Sequence, residues 1–435
     1  MRLMIKSGKT LLVDGPASVS VISGKVEVFG YTVNSTDKIV IRDGKRLPFI
    51  VEDDAIFDIS LGENARIEEV DGKTIPPSWV KSFEELLNLQ IKHIVAMVLG
   101  TIDSGKTSFC TYLTNKLLSK KRTVAILDGD LGQSDIGPPC TVSYAFVTKP
   151  LTDLFNLEAE NAYFIGVTSP SAAIQKVIDG LVKLEKEILS NNVDSIIINT
   201  DGWIEGEEAV NYKVQLVKEL NPNITFYIQR KDELMPILNA LPEFRKVIIE
   251  SPPTIKQRSR EKRRSLRELG YIKYLKNAKV QSLPLSWLKI EEGELLSPVK
   301  PCENDEQTKI IQEILGIKPL QLMELSDEIR IVVNGRQWIR EDYIKKAEEF
   351  LKKKITIIRR NEEKGLLAGI YNAKRKFLGI GILKDVDYTK KTLKIYTPVS
   401  GEISIIILGK VKLEANFKET PVFADAEGNR SGSNA

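Results

Sequence analysis

The spacing of apolar positions changes twice along the chain and divides it into three stretches. Over residues 1–77 apolar side chains come in short alternating or β-branched runs, at 10–13, 18–22, 26–29 and 39–41, punctuated by Gly, Asp and Asn. That texture predicts an N-terminal β domain, a small sandwich or barrel. Pro76-Pro77 marks its end. Trp79, Val80, Phe83, Leu86, Leu87 and Leu89 then recur close to the helical period. Beyond them, apolar runs at 94–99, 123–127, 161–166, 195–199, 224–228 and 246–250 alternate with helical stretches such as 174–189 and 209–220. Strands that are apolar on both faces and separated by helices predict an α/β domain with a mostly parallel sheet over 78–297. Over 298–425 the texture changes again. Helical stretches at 305–315 and 340–354 mix with strands at 329–333, 355–358, 366–371, 377–383, 392–396 and 402–408, a C-terminal α+β or β-rich domain. The last ten residues, 426–435, are small and polar and read as a disordered tail.

Composition narrows the class. A chain of 435 residues exceeds one typical core, so two or three domains are expected. With 42% hydrophobic and 28% charged residues and no apolar run of membrane-spanning length, a soluble cytoplasmic protein without a membrane role is expected. The opening Met1-Arg-Leu-Met-Ile-Lys runs straight into strand-like sequence without a signal-peptide pattern. Cys110, Cys140 and Cys302 are widely spaced and form no C-x-x-C pair, so they support neither a disulfide framework nor a zinc site. The one histidine, His93, has no acidic or cysteine cluster around it and reads as structural, which leaves general-base chemistry to a carboxylate. The net charge of +4 is mild, so nucleic-acid binding has to rest on a local basic patch.

The sharpest signal sits where the first apolar strand ends. Gly100-Thr101-Ile102-Asp103-Ser104-Gly105-Lys106-Thr107 has the G-x-x-x-x-G-K-[ST] spacing of a P-loop between a strand and a helix, with Ser108 following. The glycines let successive backbone N–H groups turn inward around a polyphosphate. Lys106 reaches the β- and γ-phosphates, and the Thr107 hydroxyl is placed for Mg²⁺. Residues 100–108 are therefore the expected nucleoside triphosphate site, for ATP or another NTP. The next strand ends in Asp128-Gly-Asp130-Leu-Gly-Gln133-Ser-Asp135, where P-loop proteins deliver a carboxylate to the phosphate edge. One of Asp128 and Asp130 can hold metal-bound water while the other approaches an incoming hydroxyl; Asp128 is the expected metal and substrate residue. A third strand ends in Thr200-Asp201-Gly202-Trp203, whose tryptophan can stack on a base. The most basic segment, 256–274, carries Arg258, Arg260, Arg263, Arg264 and Arg267. Arginines on several faces of one helix suit phosphate and predict a lid over the transferring phosphoryl. Gln229-Arg230-Lys231-Asp232 stands where a GTPase has N-K-x-D, and its first two substitutions remove the basis for guanine recognition.

Taken together, GTIDSGKT, DGDLGQSDIGPP, TDGW and the arginine cluster resemble the polynucleotide 5′-hydroxyl-kinase family, whose eukaryotic members act in tRNA splicing, mRNA 3′-end formation and ribosomal RNA processing. The chain is most similar in layout to an archaeal member. The resemblance implies that Lys106 neutralises phosphate, Thr107 ligates Mg²⁺, and Asp130 stands near the RNA 5′-hydroxyl as base. It places Gln133 by the nucleotide or substrate, makes Thr200, Gly202 and Trp203 a clasp, and draws lid arginines from Arg260, Arg263, Arg264 and Arg267. The implied activity is transfer of the γ-phosphoryl of ATP to the 5′-hydroxyl of RNA, with DNA as an open alternative and RNA-processing proteins as partners. Rival readings are a P-loop ATPase acting as a nucleotide-dependent scaffold, an RNA-binding module and a metabolite kinase.

Overall fold

The computed structural model describes residues 1–291, 305–319, 321–324, 328–333, 339–359, 363–387 and 390–420. The chain divides into two compact units, Met1–Gly270 and Tyr271–Ala435.

The first unit begins with nine strands: β1 (Arg2–Ile5), β2 (Lys9–Asp14), β3 (Ala17–Ser23), β4 (Val26–Val28), β5 (Tyr31–Thr32), β6 (Lys38–Ile41), β7 (Arg46–Val51), β8 (Ala55–Leu61) and β9 (Ile67–Asp71). Among the described residues they form two sheets, ordered β1-β8-β3-β6 and β5-β4-β7-β2-β9. Pro77, at the first turn where no N–H is needed, starts α1 (Pro77–Leu87).

The larger sheet of this unit follows from β10 (Ile94–Gly100), β11 (Val124–Gly129), β12 (Thr141–Val147), β13 (Asn161–Phe164), β14 (Ser195–Thr200), β15 (Ile224–Gln229) and β16 (Lys246–Glu250), ordered β13-β12-β11-β14-β10-β15-β16. All neighbours from β11 to β16 pair parallel, while β12 runs antiparallel to both β11 and β13. The expected mostly parallel sheet is present, with β12 added. Its sequence TVSYAFV is rich in β-formers but follows directly on the turn signal Pro138-Pro139. Helices α2 (Lys106–Ser119), α3 (Ile174–Ser190), α4 (Glu207–Leu220) and the short α5 (Met235–Asn239) connect the strands.

The period of two in β10 shows why an unbroken apolar run is required there. Ile94, Ala96 and Val98 join one core with Phe109 and Leu113 of α2, whereas Val95, Met97 and Leu99 join a second with Leu181 and Leu184 of α3. The first core continues into the β domain through Val13, Val28, Phe49 and Phe57. The N-terminal strands are thus packed into the P-loop unit rather than tethered to it. Asn115 of α2 fastens the join, donating to the carbonyls of Phe29 (2.9 Å) and Leu151 (2.8 Å). Cys110 and Cys140 are buried, and His93 Nδ1 lies 2.6 Å from the Val193 carbonyl, a structural contact.

The helix α6 (Arg260–Tyr274) leads into the second unit. There β17 (Lys279–Pro284), β18 (Lys289–Glu291), β22 (Leu366–Tyr371), β23 (Phe377–Asp387), β24 (Thr392–Thr397) and β25 (Ile405–Leu413) form one sheet ordered β17-β24-β23-β22-β25-β18, with β26 (Glu419–Thr420) on β25. A smaller sheet, β19 (Gln321–Glu324), β20 (Glu328–Val333) and β21 (Lys354–Arg359), packs with α7 (Asp305–Leu315) and α8 (Glu341–Leu351). The sequence boundary at 297 differs from this division, because β17 and β18 hydrogen-bond to β24 and β25. Cys302 and the 426–435 tail lie outside the described residues. Among the described residues no helix is long and apolar enough to cross a membrane.

Candidate active site

A cavity of about 320 Å³ opens at the C-terminal edge of the parallel strands. Its wall is drawn from the P-loop, the loop after β11, the turn after β14, the lid segment and the β-domain stretch 42–48.

Backbone geometry sets the P-loop. Gly105 has φ +104°, and a Cβ there would stand 2.7 Å from Ile255 Cδ1. A Cβ on Gly100 would meet Ser104 Oγ at 2.5 Å and the Ile228 carbonyl at 2.8 Å. Neither position accepts a side chain, so the chain can curl tightly before α2 begins. Lys106 is buried and donates to the Thr101 carbonyl at 2.8 Å, and burial lowers its pKa. A desolvated ammonium whose one hydrogen bond is to a neutral carbonyl is poised to take an anion. Among the described residues the buried Ser104 hydroxyl has no hydrogen-bond partner. Residues 102–108 all line the cavity, while Gly100 and Thr101 form its footing. This set fits a polyphosphate, and Thr107 supplies the hydroxyl suited to Mg²⁺.

The two carboxylates of the D-x-D pair have separate tasks. Asp130 lines the cavity, and its Oδ1 accepts from the N–H groups of Gly132 (3.0 Å) and Gln133 (2.9 Å). Burial raises its pKa, opposed by nearby Lys106 and reinforced by Asp201. Asp128 is not at the cavity. Its Oδ1 accepts from Asn199 Nδ2 (2.9 Å) and the Asp130 N–H (3.3 Å), its Oδ2 from the N–H groups of Asp135 (2.9 Å) and Ile136 (3.4 Å). Burial pushes it up to about 7. The expectation of Asp128 as a metal and substrate residue is therefore corrected: with four donors on its two oxygens, it shapes the loop that presents Asp130. Thr200 is corrected likewise. It is buried, and its hydroxyl donates to the Val98 carbonyl (2.7 Å), tying β14 to β10.

Gly202 is pressed on the P-loop, since a Cβ there would lie 2.7 Å from the Ile102 backbone nitrogen. The next residue, Trp203, lines the cavity and stacks on Tyr212 of α4 at 5.7 Å between centroids. Asp201, which sequence reasoning passed over, is the hub. It accepts from the Trp203 N–H (2.9 Å), the Tyr212 hydroxyl (2.9 Å) and Lys213 Nζ (2.7 Å). Lys213 is fully buried, so the ion pair is shielded from water.

Of the four expected lid arginines, Arg263 and Arg267 line the cavity. Arg260 and Arg264 are exposed on other faces of α6, with Arg264 3.3 Å from Glu268 one turn on. Arg258, named in the basic cluster but not among the expected catalytic residues, is a further cavity arginine. The lid is pinned by Asp103 of the P-loop, whose Oδ2 accepts from the Arg258 N–H (2.9 Å) and lies 3.4 Å from Arg263 Nη1. Gln133 donates to the Arg263 carbonyl at 2.9 Å, which places it at the seam of loop and lid.

The β-domain stretch was invisible as a site in the sequence. Arg258 Nε donates to the Gly44 carbonyl (3.0 Å), Lys262 pairs with Asp43, and Lys45 and Arg46 line the cavity. Arg42 and Lys45 hold Asp135: burial alone pushes its pKa up, but the two cations outweigh it and keep the carboxyl well below the usual range.

Comparison with known proteins agrees with this geometry. Residues 100–277 match the family described as mRNA cleavage and polyadenylation factor CLP1 P-loop. A polyribonucleotide 5′-hydroxyl-kinase of Pyrococcus abyssi is 28% identical over 355 residues, covering 79% of this chain and 94% of the relative. One of Methanocaldococcus jannaschii is 28% identical over 333 residues, covering 75% and 89%. Among solved structures, Clp1p in its complex with Pcf11p shares the fold with TM-score 0.66 at 13% identity, over 95% of this chain and 97% of that one. Residues 100–277 are thus similar to the CLP1 P-loop family, and over most of its length the chain is similar to the archaeal polyribonucleotide 5′-hydroxyl-kinases.

Proposed function

We propose that this chain is a polynucleotide 5′-hydroxyl-kinase that transfers the γ-phosphoryl of ATP, or of another NTP, to the 5′-hydroxyl of RNA. The observation that carries the reading is the convergence of donor and acceptor groups on one cavity. Lys106 and the P-loop N–H groups lie on one wall, and Asp130, Trp203, Arg263 and Arg267 face the same space. A switch ATPase needs the first set and a strand-end carboxylate, and has no use for a stacking ring beside them.

Asp130 takes the proton of the 5′-hydroxyl as its oxygen bonds to the γ-phosphorus and the bond to the β-phosphate oxygen breaks, releasing NDP. Lys106 and the lid arginines stabilise the charge spread over the phosphoryl oxygens. Trp203 stacks on the terminal base and holds the 5′ end at attack distance. Thr107 would hold Mg²⁺, which supplies charge neutralisation of the phosphates when bound.

Incubation with γ-labelled ATP is expected to label a 5′-hydroxyl oligoribonucleotide, and Lys106→Ala to abolish the labelling. A 5′-hydroxyl oligodeoxyribonucleotide in parallel decides whether DNA is accepted. Absence of transfer from every NTP sinks the reading. Nucleotide binding without transfer would favour the scaffold alternative, which draws on the solved relative Clp1p being held in a complex with Pcf11p.

A further inference from the structure

The second unit carries a cluster of lysines in which like charges face one another. Lys384 leaves β23 at a register shift between Leu383 and Asp385 and lies over the Tyr396 ring at 5.1 Å. Tyr396 in turn packs against Phe417, 6.3 Å between centroids. Lys364 is close enough to Lys384 that its charge, after burial, lowers the Lys384 pKa. The Lys412 stem lies 3.2 Å from the Cβ position of Gly365, next to Lys364. Among the described residues none of the three lysines has an ion-pair partner. Some other cations of this unit are paired: Lys289 and Arg375 with Glu291, and Lys394 with Asp385.

Val280 sits opposite Tyr396 in register on the edge strand β17 and is 57% exposed, and Trp287, just beyond that strand, is 73% exposed. Unneutralised ammonium groups gathered beside Lys384, which itself lies over a half-buried aromatic ring, are unfavourable by themselves. They become favourable when a chain of negative charge lies among them.

We propose that Lys364, Lys384, Lys412 and the Tyr396 ring form a binding surface for single-stranded polynucleotide. The lysines take successive phosphates, and the tyrosine, with its neighbours Phe417 and Val280, offers a face on which a base can lie. A folded acidic protein would match the lysines but not the stacking face. The inference rests on the proposed polynucleotide substrate, and binding can be measured separately from phosphoryl transfer.

The test uses the full-length chain and two 5′-hydroxyl oligoribonucleotides, of roughly six and roughly twenty nucleotides, chosen to fall short of and exceed a single-strand site. Fluorescence anisotropy without nucleotide should show the longer one bound more tightly. In Lys384→Gln/Lys412→Gln, affinity for the longer RNA should fall about tenfold and the salt slope by roughly 1.4 for two lost phosphate contacts, while the short RNA is bound as before. Kinetically the variant should raise KM for the longer RNA and leave kcat unchanged. Tyr396→Leu should weaken the longer RNA by about tenfold. Because Tyr396 also packs in the unit, the lysine variants carry the test should Tyr396→Leu fail to fold. Equal loss for short and long RNA, or no loss in the lysine variants, overturns the proposal. So does competition by polyglutamate as effective as by RNA. Length-dependent binding without phosphoryl transfer would leave this surface standing and remove the kinase reading.

Discussion

The P-loop wall and the lid wall of the cavity both hold positive charge, but by different means. On the P-loop side the charge is fixed by covalent and steric geometry. Gly100 and Gly105 leave no room for a Cβ, so the loop closes tightly on its neighbours, and Lys106 is buried at the start of α2. On the lid side the charge is held by exchangeable partners: Arg258 and Arg263 rest on Asp103, a carboxylate that belongs to the P-loop itself. A phosphate entering the cavity offers those arginines a stronger partner than a single carboxylate. The first wall is ready before the nucleotide arrives, whereas the second can be recruited by it.

Removing the fixed charge breaks this contrast most severely. Lys106→Met should lower phosphoryl transfer by at least about a thousandfold. Stability should move the other way. The folded-state pKa of Lys106 lies below its ordinary 10.5, so at neutral pH the folded protein bears a cost for holding the proton that the unfolded chain does not. The methionine variant should melt at or above the wild-type temperature at pH 7, and the advantage should vanish as pH rises past 10.5. A lower melting temperature at pH 7 would mean that the lysine stabilises the loop and is not held against a solvation cost.

Next in size is the acceptor side. Asp130→Asn should reduce kcat by about 10²- to 10⁴-fold, the range for loss of a positioned general base. Because burial raises the Asp130 pKa above the usual 3.8, the wild-type rate should fall on the acid side at a pH above that value as the carboxylate takes up a proton. The asparagine variant should lack this limb. A limb that persists in the variant assigns the titration to another group.

How far the site was legible follows the same division. The P-loop could be read because its requirements are local: two glycines, a lysine and a threonine at fixed spacing between a strand and a helix. The parallel sheet followed from apolar runs long enough to be buried on both faces, as in β10. What depended on direction could not be read. Asp128 and Asp130 are chemically identical and two residues apart, and only the folded loop shows that the first accepts four hydrogen bonds inward while the second meets the cavity. The helix α6 could be recognised as basic, but its phase could not, so Arg260 and Arg264 stood level with Arg263 and Arg267. Lys45 and Arg46 were out of reach because their contribution depends on the β domain packing against the P-loop unit.

The phase of the lid supplies the third prediction. Arg263→Ala should cost about a hundredfold in kcat, the scale for losing one preorganised donor to a charged transition state. Arg264→Ala, whose side chain pairs with Glu268 on the exposed face, should change kcat by less than about twofold. Asp103→Asn should fall between them, since it frees Arg258 and Arg263 without removing either. Its lid should be cleaved faster by trypsin without nucleotide and regain protection with it. Equal losses in Arg263→Ala and Arg264→Ala would show that the lid reorients before transfer.

The smallest effect expected is a displacement of the acid limb with little change in plateau rate, and it concerns the fixed side of the contrast. Asp201 raises the Asp130 pKa from across the cavity, so removing its charge should lower that pKa. Asp201→Asn alone would leave Lys213 charged, buried and unpaired, at a cost of about 3–5 kcal/mol in stability. The informative variant is therefore Asp201→Asn/Lys213→Met, in which the amide oxygen can still accept from the Trp203 N–H while the amide NH₂ donates to the Tyr212 hydroxyl oxygen. With the clasp held, KM for RNA should stay within about threefold of wild type. The acid limb should move to lower pH, because of the two charges removed Asp201 is the one that raises the Asp130 pKa. If KM rises steeply while the limb stays in place, the buried pair serves to hold Trp203 and has no part in setting the base.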